Sequence, residues 1–390
     1  MGQTPPPFHG QAVMIQALLA SPMPDVRFAH VRMEYSASLE EVGRLRARKV
    51  ARMVAVIARS VWAIRRFRPH VVYYPPSPRV VPLVRDTVTL LVLRPLCPRI
   101  VFHLHAGGFC EVLPRYLRIP VVGRVVRRAL FRPDAAVAPS RWSPPDGEFL
   151  EARRTYYLPH GIPDQGDRVR SDRERGGEPE SPRQPSVLFV GSVAAAKGAD
   201  VLVQACRLLW DRGRDFRLVL VGPCADSFRR ELLRAAGPHA PRVRFAGVLT
   251  GARKWREYGA ADVFCFPSRH ETESFPVVCV EAAMFGLPAV ATRWRGIRDL
   301  VDDGETGYLV ERGRPDQVAA RLEDLLAAPE LRRSMGRAAR AKYEREFRVE
   351  RFAEGWRRIF LEVARAEIAA GSGRAARRGH DPSTLAGVSG

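Results

Sequence analysis

From residue 186 onward, short continuous apolar runs alternate with stretches of helical spacing. SVLFVG (186–191), FRLVLVG (216–222), RVRFAGVL (242–249), ADVFCF (261–266) and PAVAT (288–292) have the length and aliphatic character of strands buried on both faces. Helices are expected between them, over about 198–211, across SFRRELLRAA, near 251–259 and from Ser274 to Gly286. This alternation predicts an α/β fold built on a parallel sheet covered on both sides. The first half repeats the rhythm less cleanly. Strands are expected at 27–33, 70–74, 99–106 and 135–140, with a long arginine-rich helix over about 43–67. The segment 161–186 is polar and rich in Gly and Pro, which marks a linker. Two doubly wound domains are therefore expected, 1–160 and 187–350. A helix over 351–366 should pack back toward the first domain, and 367–390 reads as a disordered tail. A chain of 390 residues accommodates two such domains.

The start breaks the pattern. A doubly wound domain opens with an apolar strand ahead of its first glycine-bearing loop, yet the loop-like TPPPFHGQ arrives with none before it. Either the slot of the first strand is unfilled, or Met1 lies downstream of the true start.

One segment carries the chemistry. In HETESFPVVCVEAAMFGLPAVAT, Glu273 precedes a helix that Ser274 can cap, with Pro276 in its first turn. Glu281 lies two turns further, among Val277, Val278, Met284 and Phe285. A carboxylate on so apolar a face needs either a partner or a ligand hydroxyl. The unpaired N–H groups at the start of the helix favour an anion. Two carboxylates flanking a phosphate site suit a nucleotide-sugar. The competing reading is a buried Glu281 paired with one of the many arginines.

Charge sharpens the picture. The net charge is +21, and 59 of the 63 basic residues are arginine, the lysines being Lys49, Lys197, Lys254 and Lys342. Residues 1–160 hold 24 basic against 10 acidic residues, so most of the surplus sits in the first half. Such a surface attracts nucleotide diphosphates, lipid headgroups or nucleic acid, or reflects arginine-rich coding alone. No nucleic-acid recognition module appears, and the basic residues lack interleaved aromatics. No G-x-G-x-x-G follows a strand, which argues against a dinucleotide-dependent oxidoreductase. The six cysteines form no CxxC pair and read as reduced core residues. MGQTPPPFHG is not a signal peptide, and no apolar run is long enough to span a bilayer. A cytoplasmic protein is expected, in peripheral contact at most with the inner face of the membrane.

The E-x7-E arrangement within ESFPVVCVEAAMFGLPAVAT resembles the signature of family 4 retaining glycosyltransferases of the GT-B fold. FVGSVAAAKG (189–198) is similar to that family's strand and diphosphate loop, RVRFAGVL to its nucleobase-flanking strand, and LVDDGETGYLV (300–310) to its characteristic turn. PPPFHGQAVMIQALL, FHLHAGG, AVAPSRW and LPHGIPD follow in the family's order, so the resemblance runs from residue 4 to about 362. It implies two Rossmann-like domains facing across a cleft, and transfer of a sugar from a nucleoside diphosphate sugar to a glycan, lipid-linked or other hydroxyl acceptor in cell-envelope or exopolysaccharide synthesis. It implies that Glu281 holds the ribose. Glu273 and the backbone of Ser274, Phe275, Pro276 and Val277 would hold the donor sugar and diphosphate beside Gly191 and Ser192. Lys197 would neutralise the departing diphosphate, which charge balance also asks for. His105 would reach the sugar from the first domain, with His103 two residues back as the alternative, and Gly10, beside His9, would line the cleft. Catalysis would rest on His105, Lys197 and Glu273, with neither metal nor cofactor.

Two departures stand out. Ser192 replaces an arginine usual in the diphosphate loop, for which Arg293, Arg295 or Arg298 could substitute. Arg295 stands where many members carry glycine. With the absent first strand, these departures keep a second reading open, a non-catalytic transferase-like scaffold or regulator. The segment 113–132 mixes apolar and arginine residues in a way that suits an anionic membrane surface, or a helix packed on its own sheet.

Overall fold

The structure is a computed structural model that describes residues 1–5, 10–33, 47–166 and 184–378. The first domain holds four short parallel strands: β1 (Val72–Tyr74), β2 (Ile100–His103), β3 (Ala135–Ala138) and β4 (Thr155–Tyr157), side by side in that order. β2 and β3 are buried along their whole length, as strands covered on both faces must be. Helices α1 (Gly10–Ala20), α2 (Ala47–Phe67) and α3 (Val80–Leu93) cover this sheet together with a helix over Pro120–Leu130. The expected long helix is thus described from Ala47, and α3 and β4 are additions to the expected elements.

Beside β1, the sheet is continued by the start of the chain. Gly2 bridges Arg32 in parallel, and the Met1 nitrogen donates to the Tyr73 carbonyl (2.9 Å). Residues 1–3 thus reach the edge of the first-strand position through one bridge and one backbone contact, without forming a strand there. The expected strand at 27–33 shrinks to its bridge at Arg32, because so short a neighbour offers few ladder bonds. Below Met1 the same position opens into a cavity of about 800 Å³ lined by Ile15, Leu18, Val31, Phe67, Val71 and Phe360.

The second domain is a six-stranded, all-parallel sheet ordered β10-β9-β8-β5-β6-β7. Its strands are β5 (Ser186–Val190), β6 (Arg217–Val221), β7 (Val243–Gly247), β8 (Val263–Phe266), β9 (Ala289–Thr292) and β10 (Gly307–Val310). The chain winds outward from β5 through β6 and β7, then crosses back to β8 and winds the other way. The reversal between β5 and β8 leaves a crevice at their carboxyl ends, the place where doubly wound sheets bind ligands.

The connection between the domains is pinned at its first half. Ile162 bridges Arg348, Tyr343 donates to the Ile162 carbonyl (3.0 Å), and Arg340 clamps Asp164 (2.5 Å). The last helix, Val349–Arg378, then crosses back to the first domain. Its Phe352, Trp356, Ile359 and Phe360 pack with Leu18, Val101 and Val137. The helix runs through 367–378, where a tail without structure was expected. Residues 379–390 lie outside the described residues.

Candidate active site

The loops after β5 and β8 meet at the crevice. After β5, Gly191 and Ser192 lead into a turn of 3₁₀ helix, Ala195–Lys197, closed by Gly198 in the left-handed region (φ 75°). A Cβ on Gly198 would stand 1.9 Å from the Pro267 carbonyl oxygen, so only glycine lets the two loops touch. The contact delivers the Lys197 ammonium to Glu273, which it meets at 2.5 Å. Glu273 also accepts from the Ser268 hydroxyl (2.9 Å), so both loops hold one carboxylate.

Glu273 is followed by a helix over Val277–Met284, whose N-cap is Pro276 rather than the expected Ser274. Proline fixes the extended entry, and no side chain caps the helix, so its first N–H groups have no side-chain acceptor. Ser274, Phe275 and Pro276 are buried and Val277 is half-buried. On the far side of this helix Glu281 is buried, but no arginine holds it. Lys254 donates to one oxygen (2.6 Å) and the Tyr258 hydroxyl to the other (2.8 Å). A carboxylate accepts about four hydrogen bonds, so Glu281 is oriented and neutralised with acceptor sites to spare. Lys254 and Tyr258 were not among the expected residues. The rarity of lysine in so arginine-rich a chain was the available signal.

The first domain presents three histidines across the crevice. His103 and His105 stack with ring centroids 3.7 Å apart, and His160 lies 5.4 and 5.2 Å from them. The Tyr73 hydroxyl sits between His103 Nδ1 (2.7 Å) and His105 Nε2 (3.2 Å). Both histidines considered from sequence thus belong to one cluster. His103 is buried and His105 half-exposed toward the cleft. Burial pushes the His160 imidazole down to about 3 and holds His103 well below the ordinary range, so both stay neutral. The nitrogens of the three lie within 4.8 Å of one another, the group among the described residues that could hold an ion. His160 also meets Phe275 edge-on (5.2 Å), tying the histidines to the Glu273 loop. It was missed as a site residue although LPHGIPD was noticed, because nothing in its spacing separates it from a core histidine.

Further contacts close the domains together. Arg295 pairs with Glu111 (2.7 Å), Arg298 stacks 3.5 Å over Trp142, and Ser274 meets Ser143 (3.3 Å). Arg293 turns to Asp303 and Glu311. The three arginines considered as substitutes at the exposed Ser192 are thus each engaged elsewhere. Gly10, exposed at the start of α1, sits on a helix whose Met14 packs into the second domain's core, which brings it to the domain junction.

Residues 170–342 match the family described as Glycosyl transferases group 1. The second domain is a group 1 glycosyl transferase domain. Its relatives include the phosphatidyl-myo-inositol mannosyltransferase of Mycobacterium tuberculosis, 39% identical over 150 residues, which is 38% of either chain. The chain spans between 32% and 44% of the length of the first curated relatives it matches. The two-domain architecture is the GT-B fold. Sucrose-phosphate synthase from Thermosynechococcus elongatus shares it at a TM-score of 0.68 and 18% identity, over 92% of this chain and 94% of that one. HepE of Anabaena in complex with UDP aligns at a TM-score of 0.61 and 18% identity, over 79% of this chain and 82% of that one. In the group 1 domain, Lys197 and Glu273 stand on the loops after β5 and β8, and Glu281 is buried in the helix that follows. His105 and Gly10 belong to the first domain.

Proposed function

We propose that the protein is a retaining glycosyltransferase that moves a sugar from a nucleoside diphosphate sugar to a hydroxyl acceptor, in cell-envelope or exopolysaccharide synthesis. The observation that supports this reading is Lys197 meeting Glu273 between the loops after β5 and β8, ahead of a helix without a side-chain cap whose Glu281 is held by Lys254 and Tyr258. In this reading Glu281 accepts the ribose hydroxyls through its spare acceptor sites. The diphosphate lies against the first N–H groups of the Val277–Met284 helix, where the partial positive charge favours it. Lys197 turns from Glu273 to the diphosphate as negative charge builds on the leaving group, which is when a fixed cation helps most. Glu273 and the backbone from Ser274 to Val277 then hold the sugar.

His105 meets the sugar from the other domain as a hydrogen-bonding group oriented by Tyr73. The reaction breaks the bond from the anomeric carbon to the phosphate oxygen and forms the bond to the acceptor oxygen on the same face. The acceptor proton passes to the departing phosphate. The transition state carries oxocarbenium character stabilised by the same charges. Lys197 and the helix terminus supply the neutralising charge in this scheme, so no divalent ion is assigned a step. UDP is the nucleotide to try first, since HepE of the same fold was solved with it. The mannosyltransferase relative, named for a phosphatidyl-inositol, supports a lipid-linked acceptor. Lys197 paired with Glu273, and Glu281 held by Lys254 and Tyr258, weigh against the scaffold reading.

Calorimetric titration of UDP, GDP and ADP into the protein, beside Glu281→Ala, tests the reading. One nucleotide should bind and lose at least about tenfold in affinity in the variant, the loss of one or two charge-assisted hydrogen bonds. A folded protein that binds none of the three would refute it.

A further inference from the structure

The outer face of the first domain carries an apolar stripe in a basic surround. On α3, Leu83, Leu90 and Leu93 face the core, while Val80, Val84, Val88 and Val92 recur every fourth residue on the opposite side, all exposed. A soluble helix ordinarily turns polar residues outward. α3 packs between α2 and the Pro120–Leu130 helix, and both extend the pattern. Val50, Val54 and Trp62 are exposed on α2, and Val121, Val122 and Val125 on the other, with Val121 at 70% and Trp62 at 69% of full exposure.

Arginines border these valines. Arg59, Arg65, Arg66, Arg124, Arg127 and Arg128 are exposed on the two flanking helices. The three helices carry a single acidic residue, Asp86, and it is buried against Tyr74 and Arg85. Arg127 reaches Glu151 outside the face.

We propose that this three-helix face docks on an anionic lipid surface, with the valines entering the headgroup boundary and the arginines meeting lipid phosphates. Charge complementarity selects the occupant. A second copy of the chain would bring the same positive face and be repelled. Nucleic acid would satisfy the arginines but strand the valines, whereas a bilayer interface takes both an apolar stripe and cations. A lipid-linked acceptor would reach a transferase docked by this face without leaving the membrane. That last step rests on the transferase reading; the docking does not.

Flotation of the full chain with phosphatidylcholine vesicles, with and without phosphatidylglycerol as roughly a third of the lipid, tests the proposal. Binding should require the anionic lipid and weaken at least about tenfold in Val84→Asp/Val88→Asp and in Arg124→Glu/Arg128→Glu. Thermal melts establish that each variant is folded. Should the valine pair fail to fold, the arginine pair and a salt titration decide, since all four test positions are exposed and the arginines touch no core. Absence of flotation, equal binding to neutral vesicles, or full binding by the valine variant would each overturn the proposal. So would a salt-resistant dimer in gel filtration, or tighter binding to duplex RNA than to vesicles. UDP binding without flotation removes this inference alone, and flotation without any nucleotide binding removes the transferase reading alone.

Discussion

Glu281 shows how a carboxylate survives on an apolar helix face. Its charge is met by a lysine whose ammonium also lies 4.1 Å from the Trp255 ring, and by a buried tyrosine hydroxyl. Removing one partner of such a pair leaves the other charge stranded. Lys254→Met should therefore cost about 2 kcal/mol in urea unfolding, less than a fully buried pair because the lysine is partly solvated. Adding Glu281→Gln to that variant should recover about half of the loss. The burial of Glu281 among apolar residues was legible in the sequence because helical periodicity sets which neighbours share its face. Which cation answers Glu281 was not, since Lys254 lies 27 residues away on another helix and only the fold brings it near.

At the scale of elements, the decisive one is the turn after β5. Its length and its glycine set where the Lys197 ammonium stands, and the turn packs so closely on the loop after β8 that a methyl group does not fit. Gly198→Ala should destabilise the protein by about 3 kcal/mol, combining left-handed strain with a displaced backbone. Its UDP affinity should fall in titrations of the folded fraction, because Lys197 moves with the turn. Unchanged stability would mean that the loops are not held together as described. Strand–helix alternation made these elements readable from 186 onward, since strands buried on both faces are continuous apolar runs. The first domain was harder. β4 has only three residues, and α3 mixes exposed and buried apolar positions, so neither strand length nor amphipathicity announces them.

Across the whole molecule, the histidine cluster makes the domain junction sensitive to acid. His160 titrates near 3 in the folded protein and His103 lies well below its ordinary value, so the folded state keeps both neutral. The unfolded chain takes up protons below about pH 6.5. Stability is therefore fully present above that pH and is lost as pH falls toward the folded values, by up to about 1.4 kcal/mol per pH unit for each such group. Urea midpoints measured near pH 7.5 and near pH 5 should show this decline, and His160→Asn should flatten it whatever the variant's absolute stability. A slope unchanged in the variant would clear His160 of the effect. The sequence by itself determined the α/β alternation, its division into two sheets, and a helix carrying Glu281 on an apolar face, because all of these are periodicities along the chain. Only the tertiary structure decided that the chain's start bridges Arg32, that Lys254 and Tyr258 hold Glu281, that His103, His105 and His160 cluster with His160 on Phe275, and that α3 turns its valines outward. Each of these joins residues far apart in the chain or depends on which face a neighbour covers, and neither property is carried by local sequence.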